Sequence, residues 1–462
     1  IRRDARHVSH VLSVRRAGVA LPYRQRRPGF AFSWTAYRPS LQRNRYLMSP
    51  MKTSSTSSFA TAGASATPAA APREFAASTL LSLVVFAAIT PLLLLVAPAV
   101  AAQLGGQLGL SASQIGTYFF VELGAFSCAT LPSLLWLGRV DARRVAAIAT
   151  AVFCLGNLAT AVLMPGFVAL LVLRALTALG GGTLMVLCMT SAATSGNRDR
   201  VYGLWVVGQL VAGALGLVVL PHLFEAFGLR ALYVTLAVLA LIASPLTRGF
   251  DPALGGASGK QAQQAASGNH GGRSSTWFLA TLVIGGVLTF YVAIGGVWTF
   301  ASKAASLAGL DAGHTGELLA IASVMGIVGA ACASFIGNRI ARAAMLLTGY
   351  AILVAALLGL SAHPGSTGYA AAIFAFKFAW TFVLPFILAA AAKTDTSGRL
   401  IATLNFVIGA GLAVGPLIAG VLLDAGAGLN TLFQGAAAIC ALSFICLLRV
   451  ERSGREMPGT QP

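Results

Sequence analysis

Charge is what this sequence has least of. Only 10% of its 462 residues are Asp, Glu, Lys or Arg, against roughly 25% in a soluble globular domain. Just 13 are acidic. With 57% hydrophobic residues and a mean hydropathy of +0.79, a soluble single-core domain is excluded. The six cysteines (Cys128, Cys154, Cys188, Cys332, Cys440, Cys446) stand singly in apolar segments with no CxxC pair. That pattern excludes a disulfide framework and indicates no metal site. None of the six histidines is paired at metal-ligand spacing, and neither GxxxxGKS nor GxxxxGKT occurs, so a metalloenzyme centre and direct use of ATP are not indicated. No cofactor is expected.

The net charge of +19 would suggest nucleic acid in a soluble protein, but its placement argues otherwise. Residues 1–50 hold eleven arginines, no lysine and one acid, Asp4, about half of the surplus. A disordered basic segment is expected over 1–76. Its arginine-rich start suits either a transit peptide or an upstream stretch that is not native, and the expected true start is Met48 or Met51, with 1–47 outside the native protein. Residues 53–72, rich in Ser, Thr, Ala and Pro, are expected to form a flexible cytoplasmic tail.

What is abundant is apolar sequence in lengths that cross a bilayer, which takes about 20 residues per helix. Spans are expected near 77–101, 113–136, 145–164, 167–191, 202–224 and 230–247, and again near 277–300, 314–336, 343–362, 367–391, 400–424 and 429–448. The fold class is therefore an all-α polytopic membrane protein with twelve transmembrane helices. A polar linker, 248–276, separates an N-terminal six-helix bundle (77–247) from a C-terminal one (277–448), and 449–462 is a cytoplasmic tail. With the N-terminus inside, the inner loops carry fifteen Lys and Arg residues and the outer side only Arg230 and Lys303. The positive-inside rule then puts both termini in the cytoplasm.

The two bundles are copies. A shift of about 200 residues sets "LSASQIG" (110–116) on "LDAGHTG" (310–316) and "LGRVDARR" (137–144) on "IGNRIARA" (336–343). It also sets "EAFGLRALY" (225–233) on "DAGAGLNTLF" (424–433). Six spans plus six, repeated in parallel, resemble the architecture of the major facilitator superfamily. The resemblance covers about residues 75–450. It extends to the loop after the second span, where Gly138, Arg139, Asp141, Arg143 and Arg144 are similar to that superfamily's cytoplasmic gate motif, though shorter and lacking its second glycine. The resemblance implies that these residues lock the cytoplasmic side. A short basic loop serving only topology is the alternative.

Four charges lie at or near membrane depth. Glu317 reads as an exposed helix-start residue. Glu122 lies roughly 13 Å into the second span, near mid-depth, and is a candidate proton carrier or the partner of Arg174 in a structural ion pair. Arg174 in the fourth span stands 20 residues before Thr194, and Lys377 in the tenth stands 19 before Thr396. The repeat thus sets two cations at matching depths, where they favour an anionic substrate group or hold Glu122 ionised. "RALTALGGG" (174–182) resembles the fourth-span motif of the superfamily's proton-linked antiporters, which implies a coupling role for Arg174, while Gly180, Gly181 and Gly182 read as helix-packing residues. The Gly-Pro motif of antiporters is missing from the fifth span. Gly415 and Pro416 instead supply a helix bend in the eleventh. Tyr291, Trp298, Trp380 and Asn405 could line a cavity or could equally face lipid or an interfacial belt.

The expected function is secondary transport of a small organic solute, with protons as the coupling ion. Efflux is the leading direction and proton-linked uptake of an organic anion the alternative. A membrane enzyme is disfavoured by the lack of clustered His, Asp or Cys near one membrane face; a non-transporting sensor on the same fold is a further alternative. The expected setting is the bacterial inner membrane, with the lipid bilayer and a small-molecule substrate as partners and a monomeric state.

Overall fold

The computed structural model describes residues 77–453 except 138, 194, 196–197, 253, 255–272, 338 and 395–398. Among the described residues there are helices and turns and no strand. The N-terminal half contains α1 (Ala77–Ile89), α2 (Leu92–Leu95), α3 (Ala97–Leu108), α4 (Ala112–Cys128), α5 (Thr130–Trp136), α6 (Ala142–Leu163), α7 (Phe167–Ala193), α8 (Arg198–Phe227) and α9 (Arg230–Ala243). A 3₁₀ turn, Ser244–Gly249, ends it. The C-terminal half contains α10 (Arg273–Thr299), α11 (Ala301–Leu307), α12 (Ala312–Ile336), α13 (Arg342–Ser361), α14 (Ser366–Thr394), α15 (Arg399–Asp424) and α16 (Leu429–Ser453).

Ten of the described helical segments are long and apolar enough to cross a membrane. The first two expected spans are built differently, as α1 to α3 in series and as α4 followed by α5. The reason in the first case is proline. Pro91 and Pro98 carry no N–H, so the carbonyls four residues earlier, at Ala87 and Leu94, lose their helical donors. An unpaired carbonyl at membrane depth costs several kcal/mol. Side chains from other helices supply the missing donors: Gln209 Nε2 on α8 donates to Ala87 O at 3.0 Å, and Trp298 Nε1 on α10 donates to Leu94 O at 3.2 Å. The second of these bonds joins the two halves.

The halves meet chiefly where α4 runs along α15 and α8 along α12. Gly116 permits the first contact, because a methyl group there would collide with the carbonyl oxygen of Pro416. Pro416 and Gly415 lie within an uninterrupted α15, and Gly415 packs against the backbone of α10 at Val292 and Gly296. At the end of the bundle opposite the start of α1 and the end of α16, the halves share hydrogen bonds. Asp424 at the end of α15 accepts from Ser111 Oγ (2.6 Å), Ala112 N (3.0 Å) and Ser113 N (2.9 Å) at the start of α4. The first N–H groups of a helix have no partner within it and sit at its positive pole, so a carboxylate is a fitting cap. Ser111 and Gln114 complete a capping box on the same turn.

At the other end, the repeat appears as paired clamps. Arg143 at the start of α6 donates from Nε to Phe250 O at 2.8 Å, and Arg342 at the start of α13 reaches Glu451 on α16 at 3.5 Å. Each bond stays inside its own half.

The proline argument predicts a coupled pair of substitutions. Trp298→Phe removes the donor to Leu94 O and should lower the melting temperature in detergent, whereas Pro98→Ala restores a backbone N–H at position 98. In the Pro98→Ala background, the cost of Trp298→Phe should fall by about 1 kcal/mol, the net worth of a buried hydrogen bond. Equal costs in both backgrounds would contradict the assignment.

Candidate functional site

Among the described residues, Arg174 in the N-terminal half and Lys377 in the C-terminal half are buried, and the two are treated in opposite ways. In the N-terminal half, Arg174 on α7 is fully buried and faces Glu122 on α4, itself 6% exposed. The two form a bidentate pair, with Nε to Oε2 at 2.8 Å and Nη2 to Oε1 at 2.7 Å. Parallel N–H···O bonds of this kind are among the strongest a side chain makes. Arg174 Nη1 also donates to Asn157 Oδ1 on α6 at 2.9 Å, while Asn157 Nδ2 is anchored on Phe153 O. Beneath the guanidinium lies the ring of Tyr233 from α9, 5.0 Å from Cζ to its centroid. The hydroxyls of Tyr233 and Tyr118 meet at 2.9 Å.

Four helices converge on this network, and their close approach follows from small residues. A methyl group at Gly182 would collide with the Phe126 carbonyl of α4, so α7 can lie against α4 only with glycine there. Gly180 and Gly181 likewise sit against α6 at Ala149 and Phe153. The pair is electrically neutral as a unit, and both carboxylate oxygens are used. A bare arginine at this depth would cost roughly 2.5–3.5 kcal/mol or more, which explains why Arg174 is found with its counter-ion.

In the C-terminal half, Lys377 on α14 is 3% exposed, and no carboxylate faces it among the described residues. Its ammonium lies instead between two indoles, with Nζ 3.8 Å from the ring centroid of Trp298 and 4.0 Å from that of Trp380. The two rings meet edge to face at 6.3 Å, and Phe376 flanks Trp380 at 6.2 Å. Tyr291, buried on α10, approaches Trp380. Burial of Trp298 removes it from any lipid-facing or interfacial belt. Asn405 is exposed on α15 and belongs to neither cluster.

Arg174 and Lys377 therefore occupy corresponding helices but separate clusters. The cytoplasmic-gate candidates are placed as follows. Asp141 caps its own helix by accepting from Arg143 N at 2.8 Å, Arg139 bonds to Leu135 O, Arg144 is exposed, and Gly138 lies outside the described residues. None of these bonds, nor that of Arg143 to Phe250 O, reaches the C-terminal half. Glu317 is exposed in the first turns of α12. Asn157, Tyr118, Tyr233 and Asp424 were not singled out by sequence reasoning. A polar Asn in the third span at the depth of Arg174 was the available signal for the first, and an acid at the end of a span facing a serine-capped helix for the last.

Between the halves, at the end opposite the start of α1 and the end of α16, lies a vestibule of about 710 Å³. Its walls include Gln103, Glu225, Thr299, Phe300, Lys303 and Asp311. Thr299 and Phe300 directly follow Trp298 in the chain.

The family model described as Major Facilitator Superfamily matches residues 75–394. The chain belongs to that superfamily. It is similar in fold to a bacterial homologue of the human lysosomal transporter Spinster, inward-facing and unoccupied, at 13% identity and a TM-score of 0.56, covering 82% of this chain and 98% of that one. The same homologue in an occupied inward-facing form gives 15% identity and 0.59, with 82% and 98% covered. A mutant of the nucleoside transporter NupG gives 11% and 0.62, with 80% and 99% covered. A search of curated proteins returns no match. This superfamily member is thus an integral multi-pass membrane protein and a secondary transporter, not an enzyme.

Removing one member of the Glu122–Arg174 pair should be worse than removing both. Arg174→Met leaves a buried carboxylate and should destabilise by about 3–5 kcal/mol, seen as a large fall in melting temperature in detergent. The double substitution Glu122→Met with Arg174→Met should recover most of that loss. Additive losses would contradict a closed, mutually neutralising pair.

Proposed function

We propose that this transporter couples solute movement to the proton gradient through Glu122, with Arg174 as the group that reads its charge. The observation that carries the reading is the neutral, bidentate, buried pair itself. An ionised Glu122 holds Arg174 through both oxygens. A proton arriving on Glu122 removes the charge that holds the guanidinium, leaving it with Asn157 and the Tyr233 face. The two protonation states thus favour different packings of α4, α6, α7 and α9, which is the differential interaction a coupled conformational change requires.

Export of an organic solute is the proposed direction, and its support is the resemblance of "RALTALGGG" to the fourth-span motif of proton-linked antiporters. The basic loops support cytoplasmic termini, so that the Asp424 cap and the vestibule lie on the outer side of a bacterial inner membrane. With that side capped, the Asp141 and Arg143 contacts remain within one half. The gate proposed for Gly138, Arg139, Asp141, Arg143 and Arg144 engages the other half once the cap opens. Gly415 and Pro416 are the proposed bend in α15, and a monomer is the proposed working unit.

The test is flux in proteoliposomes across a panel of carboxylates, sugars and lipophilic cations, with pH gradients of both signs. A gradient should accelerate transport by the wild type at least tenfold, in the sense of proton entry with solute exit. In Glu122→Gln, exchange without a gradient should persist while the acceleration disappears. A Glu122→Gln protein that responds to the gradient as the wild type does would refute the coupling role.

A further inference from the structure

We infer that Lys377, between the indoles of Trp298 and Trp380, is the subsite for an anionic group of the transported solute, a carboxylate carried on an aromatic or amphipathic body. The inference rests on the transport reading above but not on proton coupling.

Charge accounting leads to it. A second copy of the N-terminal solution, a built-in carboxylate, is absent from the surroundings of Lys377 among the described residues. The described acids of the C-terminal half are all elsewhere: Asp311 and Glu317 are exposed at the start of α12, Asp424 caps α4, and Glu451 faces Arg342. Two indole faces attract an ammonium through the quadrupoles of their rings, more weakly than a full opposite charge on a carboxylate does at membrane depth. The cage leaves the buried amine without a carboxylate partner among the described residues. Arg174 is not available for the same task, because its fork is filled by Glu122 and Asn157.

Position favours the same conclusion. Trp298 joins three features: one wall of the Lys377 cage, the Leu94 carbonyl in the broken first span, and, through the next two residues of the chain, the vestibule lined by Thr299 and Phe300. A ligand entering the cage from the space between the halves thus meets aromatic walls on the C-terminal side and the α2–α3 break on the other. An anion of matching shape takes the ammonium from the indoles, and its apolar body replaces the cation on their faces. A neutral amide of the same shape gains only the second contact, and an amine meets a like charge. Selection by sign of charge is the result.

Equilibrium binding of radiolabelled benzoate, octanoate and indole-3-acetate to the purified protein tests this at zero gradient, with benzamide and benzylamine as competitors. At least one carboxylate should bind saturably and resist competition by both neutral and cationic analogues by a factor of ten or more. Lys377→Gln should weaken that binding at least tenfold, and Lys377→Arg should restore much of it. Elution as a single monodisperse peak verifies folding. If Lys377→Gln fails that check, the charge selectivity of the wild type and the Lys377→Arg variant decide. No saturable carboxylate binding, equal binding of benzamide, or unchanged affinity in a folded Lys377→Gln would each overturn the assignment. The two readings separate in the wild type itself, since charge-selective carboxylate binding is read at zero gradient whereas proton coupling is read as the acceleration of flux by a pH gradient.

Discussion

Burying a charge where there is no water is the constraint on which the rest of this structure depends. The chain pays it twice, at matching positions of a repeated architecture, and resolves it differently each time. Arg174 is neutralised from within by Glu122, oriented by Asn157 and backed by Tyr233, so that four helices of the N-terminal half are tied to one guanidinium. Lys377 lies between aromatic faces and meets no described acid. One half therefore holds a complete electrostatic unit and the other an incomplete one. That asymmetry within a symmetric fold is the basis of the two tasks proposed above, a proton site in the first half and a solute site in the second.

The halves communicate through backbone groups that the sequence leaves unpaired. Pro98 frees Leu94 O, and a tryptophan of the other half fills it. The start of α4 presents N–H groups with no helical partner, and the end of α15 supplies Asp424. Both bonds lie between the bundles and both must break if the bundles separate at that end. Neither costs the bundles their internal integrity, because the clamps at Arg143 and Arg342 stay within each half. Rigid halves with replaceable contacts between them suit alternating access.

Much of this was legible beforehand, and the limits are instructive. Hydropathy located the spans to within a few residues for helices such as α7 and α12, because an uninterrupted apolar run has one reading in a bilayer. It could not foresee that the first span is broken into three, since the effect of Pro91 and Pro98 depends on donors from Gln209 and Trp298, far away in sequence. Matching Arg174 with Lys377 followed from the repeat. Glu122 as the arginine's partner was one of two open readings, and geometry brought the pair together. That Lys377 has aromatic neighbours in place of an acid was not readable, because Trp298 lies on another helix and its orientation is set by packing. Asn157, Tyr118 and Tyr233 escaped notice for the same reason: a single polar or aromatic residue in a span carries no signal until its neighbours are known.

The central claim is the division of labour between the two cations, and a structure determined with bound benzoate tests it most directly. The account predicts the carboxylate within hydrogen-bonding distance of Lys377 Nζ, the phenyl ring against Trp298 or Trp380, and the Glu122–Arg174 fork intact. A carboxylate bound to Arg174, with Glu122 displaced and Lys377 still between its indoles, would contradict it.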